Sequence, residues 1–353
     1  MTLDDSDRHR DVVIIGAGAG GLTAAVALQE QGVEFVVLEA RDRIGGRLIS
    51  GAVGGGRVDL GATWFWANEE RIGSLIADGD LSVFPQHIAG DMVFQSEEAS
   101  QQVPNQLSSP AGRLADGMGS VTKYLATGLP DGAIHFDTVV TSIISHQDGL
   151  VVTTNQGEWS ANHVVLAIPP ALAVHSIDFG DALGDRVASV ASATPVWMGS
   201  TVKVVATYET PFWRDMGLAG AAYSYRGPMR EIHDMSGPGG NPAAIFGFCA
   251  PSPGDPAPTP DEITAQLVEL FGDDAGAPEQ VIVMDWRSEI YTSPPNVEVL
   301  ANYRTYGHPV FQQPALNGRL HWASTETATV APGHIEGALM AGERAAQAIL
   351  TAD

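Results

Sequence analysis

The glycines of a GAGAGG segment are the residues whose type and spacing most clearly predict chemistry. Gly16, Gly18 and Gly21 fit the spacing G-x-G-x-x-G, and Glu39 follows eighteen residues after the last of them. The first glycine allows a tight turn, the second lets backbone approach a pyrophosphate, and the third lets a helix pack closely on a strand. The acid accepts hydrogen bonds from ribose hydroxyls. The segment therefore predicts a dinucleotide site without distinguishing NAD from FAD.

A second glycine turn, surrounded by arginines, follows directly. The segment EARDRIGGR places Arg41, Arg43 and Arg47 around Gly45 and Gly46. The whole chain has 18 lysines and arginines against 42 acidic residues, so this is a marked concentration of cations. Guanidinium groups here would neutralise the same pyrophosphate from its other side. A solvent-exposed run of charges is the alternative interpretation.

These turns need secondary structure that holds them in place. The run DVVII, residues 11–15, predicts a buried strand, and residues 22–31 predict a helix that Gly32 ends. EFVVLEA predicts a second strand that ends at Glu39. Together they predict one βαβ unit in which the free N–H groups at the start of the helix face a phosphate.

Later elements are predicted from turn and capping signals. Residues 85–119 have only short apolar runs and indicate a connection between domains, while TVVTSII and LVVTT around HQDG predict a hairpin. HVVLAIPP predicts a strand ended by prolines, and STVKVVATYETPFW a long strand with alternating faces. Thr259 and Glu262 predict a capping box at the start of a helix. EGALMAGERAAQAIL predicts a final helix.

Composition narrows the possible functions. The formal net charge of -24 argues against nucleic acid or an anionic membrane as a partner, because phosphate binding needs clustered cations. Cys249 is the only cysteine, which excludes an intrachain disulfide and a multi-cysteine metal site. No apolar run approaches the ~18 residues of a membrane span or anchor, and the polar start MTLDDSDRHR is unlike a secretory signal. We expect a soluble, cytoplasmic protein.

In its motifs and their order, the chain resembles the flavin-dependent amine oxidases, the monoamine oxidase family. Eight segments carry the resemblance. They are VVIIGAGAGGLTAAVALQEQG, VVLEARDRIGGR, VDLGATW, DGMGSVTKYL, VVLAIPP, GSTVKVVATYETPFW, AAIFGF and STETATVAPGHIEGALMAGERAA. Each is weak alone, but eight in the family's order are strong evidence of kinship.

The resemblance implies FAD as cofactor, with its adenosine at Glu39 and its pyrophosphate near Gly18 and Arg47. Val140 matches a backbone contact to adenine, and Glu326 matches an acid beside the ribitol and phosphates. The remaining implied contacts are Gly16, Ala19, Gly20, Gly21, Ala40, Arg41 and Gly46 around the phosphates and ribose, and Gly61, Ala62, Thr63, His334 and Ile335 around the ring.

The resemblance also implies a reaction. Hydride equivalents pass from the carbon that bears an amine to the flavin, O2 reoxidises the flavin to give hydrogen peroxide, and the imine hydrolyses to an aldehyde. Because the cofactor carries the redox chemistry, the protein mainly positions a neutral amine in an apolar pocket. No catalytic residue is assigned with certainty, and the pocket candidates are His334, Asn296, Trp64 and Trp322, with a structural role as the alternative for the histidine and the tryptophans.

The sequence departs from the family pattern in four ways. TSPPN follows DWRSEIY without the cysteine that binds FAD covalently in many animal members, so we expect noncovalent FAD. Asn296 and His334 replace two tyrosines that flank the amine. No lysine follows AAIFGF, where the family lysine beside flavin N5 is expected, and Lys203 is matched to another position. The segment between FPQH and DGMGS is short, so most of the helical substrate lid is expected to be missing.

The sequence thus predicts an α/β fold in which a Rossmann-like FAD-binding domain is interleaved with a smaller α+β substrate domain. The predicted boundaries are 1–66, 108–180 and 291–353 for the first domain, and 67–107 and 181–290 for the second. The leading hypothesis is an FAD-dependent oxidase of primary amines. The alternatives are a flavin oxidase of a polyamine, porphyrinogen or carotenoid, and an FAD-binding scaffold with weak or no activity.

Overall fold

Two seven-stranded sheets organise the protein in the computed structural model, which describes residues 8–105, 111–252, 254–295 and 303–352. The strands are β1 (His9–Ile15), β2 (Phe35–Leu38), β3 (Ser50–Val53), β4 (Gly56–Asp59), β5 (Val83–Pro85), β6 (Asp91–Gln95), β7 (Ser100–Pro104), β8 (Gly112–Leu114), β9 (Ile134–His135), β10 (Val140–His146), β11 (Gly149–Thr154), β12 (Gly157–Leu166), β13 (Val202–Tyr208), β14 (Leu218–Ser224), β15 (Met229–Asp234), β16 (Ala243–Cys249), β17 (Gln280–Asp285) and β18 (Leu320–Trp322). The helices are α1 (Ala19–Glu30), α2 (Glu70–Asp78), α3 (Gly119–Thr127), α4 (Pro170–Ser176), α5 (Asp185–Ser192), α6 (Phe212–Asp215), α7 (Pro260–Phe271) and α8 (Ile335–Leu350).

The first sheet has the order β10-β11-β12-β1-β2-β9, with β18 beside β12. Strand β1 pairs in parallel with both β2 and β12, as a βαβ unit requires. Both faces of β1 are buried, because Val12 and Ile14 face the core that includes α1 and α8, while Val13 and Ile15 face a second core. This explains why its sequence is continuously apolar rather than alternating. The predicted βαβ unit is confirmed.

The second sheet has the order β17-β13-β16-β15-β14-β6-β7, and α7 packs on it. The prediction that β13 alternates between buried and exposed faces is wrong, because all seven of its residues are buried. Val204 and its neighbours on one face pack in the core under α7, whereas Val205 on the other face packs with Val58 and Phe246. Lys203 shares the face of Val205 and is therefore buried as well.

Other local predictions have mixed outcomes. The hairpin of β10 and β11 and the capping box of Thr259 and Glu262 are confirmed. Residues 85–119 are more than a connection, since β6 and β7 form a hairpin that extends the second sheet. Each of these strands is only five residues long and β7 is mostly polar, so the sequence pattern alone does not mark them as strands. The mixed α/β fold class is as predicted.

The strands of the two large sheets come from different parts of the chain. Those of the first sheet lie between residues 9 and 166 and at 320–322, and those of the second lie at 91–104 and 202–285. Helix α2 packs with Ile72 in the core of the first sheet, although its sequence falls in the range 67–107 assigned to the substrate domain. The domain boundaries stay a prediction.

Two classes of feature are not found among the described residues. No helix there is long and apolar enough to cross a membrane. No group of three or more His, Cys, Asp or Glu side chains there is arranged to hold a metal ion.

A buried histidine beside a half-buried one makes the first sheet sensitive to acid. His321 on β18 is 3.2 Å from His163 on β12, measured from Nε2 to Nδ1. Burial, and then the neighbouring His163, lower the pKa of His321 from 6.5 to about 4. The folded state therefore holds this ring neutral where the unfolded chain binds a proton. The stabilisation is complete above pH 6.5 and is lost as the pH falls from 6.5 towards 4.

We expect His321→Gln to remove this acid sensitivity. The free energy of unfolding of the wild type, measured with urea, should decline between pH 7 and pH 4. His321 should account for about 3 kcal/mol of that decline. The variant should show a decline smaller by that amount. His146→Gln changes an exposed histidine and serves as the control. Equal pH dependence in all three proteins would contradict the prediction.

Candidate functional site

A cavity of about 510 Å³ lies where β1, β2 and β12 end. Ile15, Leu38 and Ala167, which are the last residues of these strands or follow them, line one wall. The carboxyl ends of parallel strands are the usual ligand site of such sheets. The cavity also collects most of the predicted cofactor contacts. These are Gly16, Gly18, Ala19, Gly20, Glu39, Ala40, Arg41, Gly46, Arg47, Ala62, Val140, His334 and Ile335.

The two glycine turns face each other across this cavity. Gly16 has a φ of +100°, which favours glycine, and a Cβ added at Gly18 would have no atom within 4 Å. A Cβ on Gly46 would lie 3.6 Å from Gly18 Cα. Helix α1 begins after Gly18 without a side-chain cap, so its first N–H groups are available to an anion. The geometry fits the pyrophosphate of a dinucleotide.

Glu39 is fixed at the end of β2 by backbone donors. Its carboxylate accepts the N–H of Ala17 at 2.8 Å and that of Arg41 at 2.9 Å. Each oxygen keeps a lone pair, and the residue lines the cavity. Glu39 is thus preorganised to accept hydroxyl hydrogen bonds.

The three arginines of the second turn have different roles. Arg47 donates to both carboxylate oxygens of the fully buried Glu326, at 2.5 and 3.1 Å. Arg41 pairs with Glu289 at 2.7 Å. Arg43 does not line the cavity and donates to the carbonyls of its own turn, so the prediction that all three face one pyrophosphate is wrong for Arg43. Its side chain is used to close the turn.

Four predicted contacts lie behind the cavity wall. A Cβ on Gly21 would meet the Gly16 carbonyl oxygen at 2.0 Å, and one on Gly61 would meet that of Arg47 at 1.9 Å. These glycines therefore allow close packing of backbone. The other two, Thr63 and Glu326, hold Lys203 and Arg47 respectively.

Lys203 reaches the segment that follows β4. Its Nζ donates to the Gly61 carbonyl at 2.8 Å and to Thr63 Oγ1 at 2.5 Å, and lies 4.4 Å from the ring centroid of Phe246. Burial lowers the pKa of Lys203 to about 7, although the charge of Asp59 opposes this shift. Strand β13 thus brings a lysine to residues 61–63, for which the sequence predicts contact with the ring. The expectation that the family lysine is missing stays a prediction.

The aromatic candidates are dispersed. Trp64 donates its Nε1–H to Gln86 at 2.8 Å and packs edge-on against His233, outside the cavity lining. Trp322 is 2% exposed and packs against Phe311 in the core on one face of the first sheet. Neither tryptophan contributes to the cavity wall. Asn296 lies outside the described residues.

His334 is the pocket candidate that the structure does bring to the cavity. Its side chain is 45% exposed, and its Nδ1 lies 2.7 Å from Oε1 of the buried Glu69. The ring of Trp66 packs at 4.9 Å from that of His334. Sequence reasoning missed Glu69 and also Trp197 and Met198, which add apolar surface to the cavity. Glu69 lies in an irregular segment and the other two lie in a single turn of 3₁₀ helix, where no periodicity marks a side chain as inward-facing.

Comparison with known proteins identifies the family. The family model described as flavin containing amine oxidoreductase matches residues 87–350, most of the chain, and a model described as NAD(P)-binding Rossmann-like domain matches residues 14–78. The chain belongs to the flavin-containing amine oxidoreductases. It is a flavin-dependent amine oxidase.

Relatives of this amine oxidase span nearly its whole length. A putative flavin-containing monoamine oxidase, AofH, from Mycobacterium tuberculosis is 27% identical over 441 aligned positions, covering 95% of each chain. The flavin-containing amine oxidase B of Canis lupus familiaris is 32% identical over 68% of this chain and 47% of its own. The structure of a putrescine oxidase bound to putrescine has a TM-score of 0.84 at 22% identity, covering 97% of this chain and 99% of its own.

The shorter length of this amine oxidase is consistent with a reduced lid. The alignment to AofH has 441 positions although this chain has 353 residues, so the relative carries segments that this chain lacks. Between His87 and Asp116, where the lid is expected, the described residues form only β6, β7 and β8. The reduced lid stays a prediction.

Proposed function

We propose that this protein oxidises small primary amines with noncovalently bound FAD and O2, releasing an aldehyde and hydrogen peroxide. One observation carries the proposal: a single cavity is lined both by a dinucleotide-type glycine turn with Glu39 and by His334 with apolar side chains. The family supplies flavin chemistry and amines as the substrate class. A lining that includes phosphate-type donors together with Glu39 fits a flavin dinucleotide.

We assign the adenosine to Glu39 and Val140, and the pyrophosphate to the first N–H groups of α1 together with Gly46 and Arg47. The flavin ring is assigned to Ala62 and the turn before α8, which has no side-chain cap on its N–H groups. Those N–H groups and the helix dipole would stabilise negative charge on the ring. Trp197 and Met198, which line the same cavity, are assigned to the substrate.

Noncovalent attachment is supported by the position of the only cysteine. Cys249 lies at the end of β16, buried in the core under α7, and is not part of the cavity lining. Burial raises the pKa of its thiol to about 12. A thiol that is buried, neutral and outside the cavity does not form a bond to the cofactor.

A flavin held here would supply the acceptor for the hydride equivalents of the amine and the means of their transfer to O2. The chain has three tasks: to hold the amine as a free base beside the ring, to exclude bulk water with apolar side chains, and to supply charge where O2 reacts. Met198 and Trp197 serve the second task, and Lys203 the third. The imine then hydrolyses in water.

Two measurements test the proposal. The purified protein should be yellow, and acid precipitation should release the colour into the supernatant as FAD. A panel of monoamines, diamines and polyamines should then yield peroxide with at least one primary amine, and that amine should bleach the flavin band without oxygen. Retention of the colour in the precipitate would refute noncovalent binding. Absence of bleaching with every amine would refute the activity and favour a scaffold or another substrate.

Lys203→Met is expected to slow reoxidation of the flavin by O2 about 10- to 100-fold while changing anaerobic reduction by the amine only a few-fold. A cation beside Gly61 stabilises the negative charge that O2 acquires. Because the pKa of Lys203 is about 7, the wild-type reoxidation rate should also fall as the pH rises through 7. Stopped-flow mixing of reduced protein with oxygenated buffer measures both effects.

Lys123→Met provides the matched control, since Lys123 is the other lysine of the chain and is exposed on α3. It should reoxidise like the wild type. An unchanged rate in Lys203→Met, or a slower rate with the same pH dependence as the wild type, would show that the Lys203 ammonium does not assist O2.

A further inference from the structure

The side chains of Glu69 and His334 contact each other in an arrangement that packing alone does not require. Glu69 is the residue before the first turn of α2, yet its carboxylate caps none of the N–H groups of that helix. Two of those groups, on Arg71 and Ile72, are bonded instead by the carboxylate of Glu336 from α8. The Glu69 carboxylate is therefore available for other contacts. Its oxygens accept from the Trp66 N–H at 2.8 Å and contact His334 Nδ1 at 2.7 Å.

This contact fixes the tautomer of His334. An ionised carboxylate only accepts hydrogen bonds, so Nδ1 of His334 carries a hydrogen and Nε2 of the neutral ring has a free lone pair. The ring of Trp66 packs against the His334 ring at an interplanar angle of 38°. His334 lines the cavity, and its side chain is partly exposed. A positioned proton acceptor therefore borders the proposed substrate site.

An amine substrate needs such an acceptor. An alkylammonium resembles a lysine side chain, with a pKa of about 10.4, so only about one molecule in a thousand is a free base near pH 7.4. The nitrogen lone pair must be free before the neighbouring carbon is oxidised. A group that removes this proton inside the site allows the abundant cation to be used.

We propose that His334, positioned by Glu69, takes the proton from the substrate ammonium. This inference rests on the proposed function. One N–H bond of the ammonium breaks, its electron pair remains on the substrate nitrogen, and a new N–H bond forms at His334 Nε2. No electron is transferred to the protein. The imidazolium is stabilised by the Glu69 carboxylate, and the proton passes to water from the exposed side of the ring.

The other charged groups near this pair are accounted for by their own partners. Glu336, in the first turn of α8, is engaged by backbone N–H groups of α2. Arg71, in the first turn of α2, pairs with Glu343 at 3.3 Å. On the remaining side, the ring of Tyr306 lies beside Gly333. Glu69 is thus the charged group in direct contact with the His334 ring among the described residues.

The test is the pH dependence of flavin reduction by n-butylamine, measured by anaerobic stopped-flow mixing between pH 6.5 and 10. His334→Gln should reduce flavin about 100-fold more slowly than the wild type near pH 7, and the deficit should shrink to a few-fold near pH 10, where much of the amine arrives as free base. Glu69→Gln should show the same trend at about 10-fold, and Glu69→Asp should recover most of the rate. His146→Gln serves as the exposed control.

Each outcome decides the inference. A deficit that is constant with pH in both His334→Gln and Glu69→Gln would assign the pair a structural role and overturn it, as would the absence of any deficit. If the wild type is not bleached by any amine at any pH, the proposed function fails and this inference with it. If the wild type is bleached and the variants match it at all pH values, only this inference fails.

A second readout does not depend on turnover. Nitrogen NMR of the His334 ring at a pH where it is neutral should report the Nδ1–H tautomer in the wild type. In Glu69→Gln the preference for that tautomer should weaken. A predominant Nε2–H tautomer in the wild type would leave no acceptor towards the substrate and would overturn the inference.

Discussion

Gly18→Ala should give a folded protein that has lost flavin, whereas Gly21→Ala should lose stability in the fold itself. The two variants add the same methyl group three residues apart. At Gly18 the new Cβ meets no atom within 4 Å, because it projects into the space assigned to the pyrophosphate. At Gly21 it meets the Gly16 carbonyl oxygen at 2.0 Å and Ala167 Cβ at 3.1 Å. The same chemical change therefore tests two functions of one motif.

The two variants should change different quantities, the free energy of unfolding in one case and FAD binding in the other. Relief of the clash at Gly21 requires α1 to move away from β1, which should cost about 3 kcal/mol or more of the free energy of unfolding. Gly18→Ala should change that free energy by less than ~1 kcal/mol without cofactor, but weaken FAD binding about 100-fold. Urea unfolding with and without added FAD, and the flavin absorbance of the purified protein, measure both.

Gly73→Ala is the matched control for helix propensity. Gly73 lies inside α2 with no atom within 4 Å of its added Cβ, so alanine there should stabilise the protein by about 0.5–1 kcal/mol and leave the flavin content unchanged. If Gly18→Ala retained a full complement of flavin, the pyrophosphate assignment would be incorrect. If Gly21→Ala unfolded like the wild type, its glycine would not be needed for packing.

Features encoded by neighbouring residues were predictable from the sequence. The βαβ unit and the capping box of α7 depend on strand, turn and cap signals within about thirty residues, and both have the predicted form. The hairpin of β6 and β7 was missed because its strands are short and β7 is mostly polar, and because it joins a sheet whose other strands lie about a hundred residues further along. Its pairing partner, rather than its own composition, makes it a strand.

The candidate site likewise contains some features that neighbouring residues predict and others that they do not. The glycine turn and Glu39 are close in sequence, and the structure brings them to one cavity as predicted. Lys203 contacts Thr63, which is 140 residues away in the sequence, and Glu69 contacts His334, which is 265 residues away. No local sequence pattern marks either residue. Lys203 lies on a strand, as the sequence predicts, but the sequence does not show which segment its side chain contacts. That depends on which segment covers its face of β13.

Arg47→Met is expected to destabilise the protein by about 3–5 kcal/mol, because it leaves Glu326 as a buried carboxylate without its partner. Glu326 has no exposed surface, and both of its oxygens accept from Arg47. Burial lowers the pKa of Arg47 but Glu326 raises it more, so the net shift is upward and the guanidinium stays charged. The pair is therefore ionic, and removing one member exposes the full cost of burying the other.

The double variant Arg47→Met/Glu326→Met separates this cost from the role of Arg47 in the cavity. Replacing both members of a buried ion pair with apolar side chains of similar size is often neutral, so the double variant should recover most of the lost free energy of unfolding. It should still bind FAD poorly, because Arg47 lines the cavity and its charge would be missing. Added FAD stabilises a protein only as far as the folded state binds it, so urea unfolding at increasing FAD concentration measures the deficit. Recovery of both stability and FAD binding would show that Arg47 serves the fold alone, whereas recovery of stability alone would assign its positive charge to the cofactor phosphates.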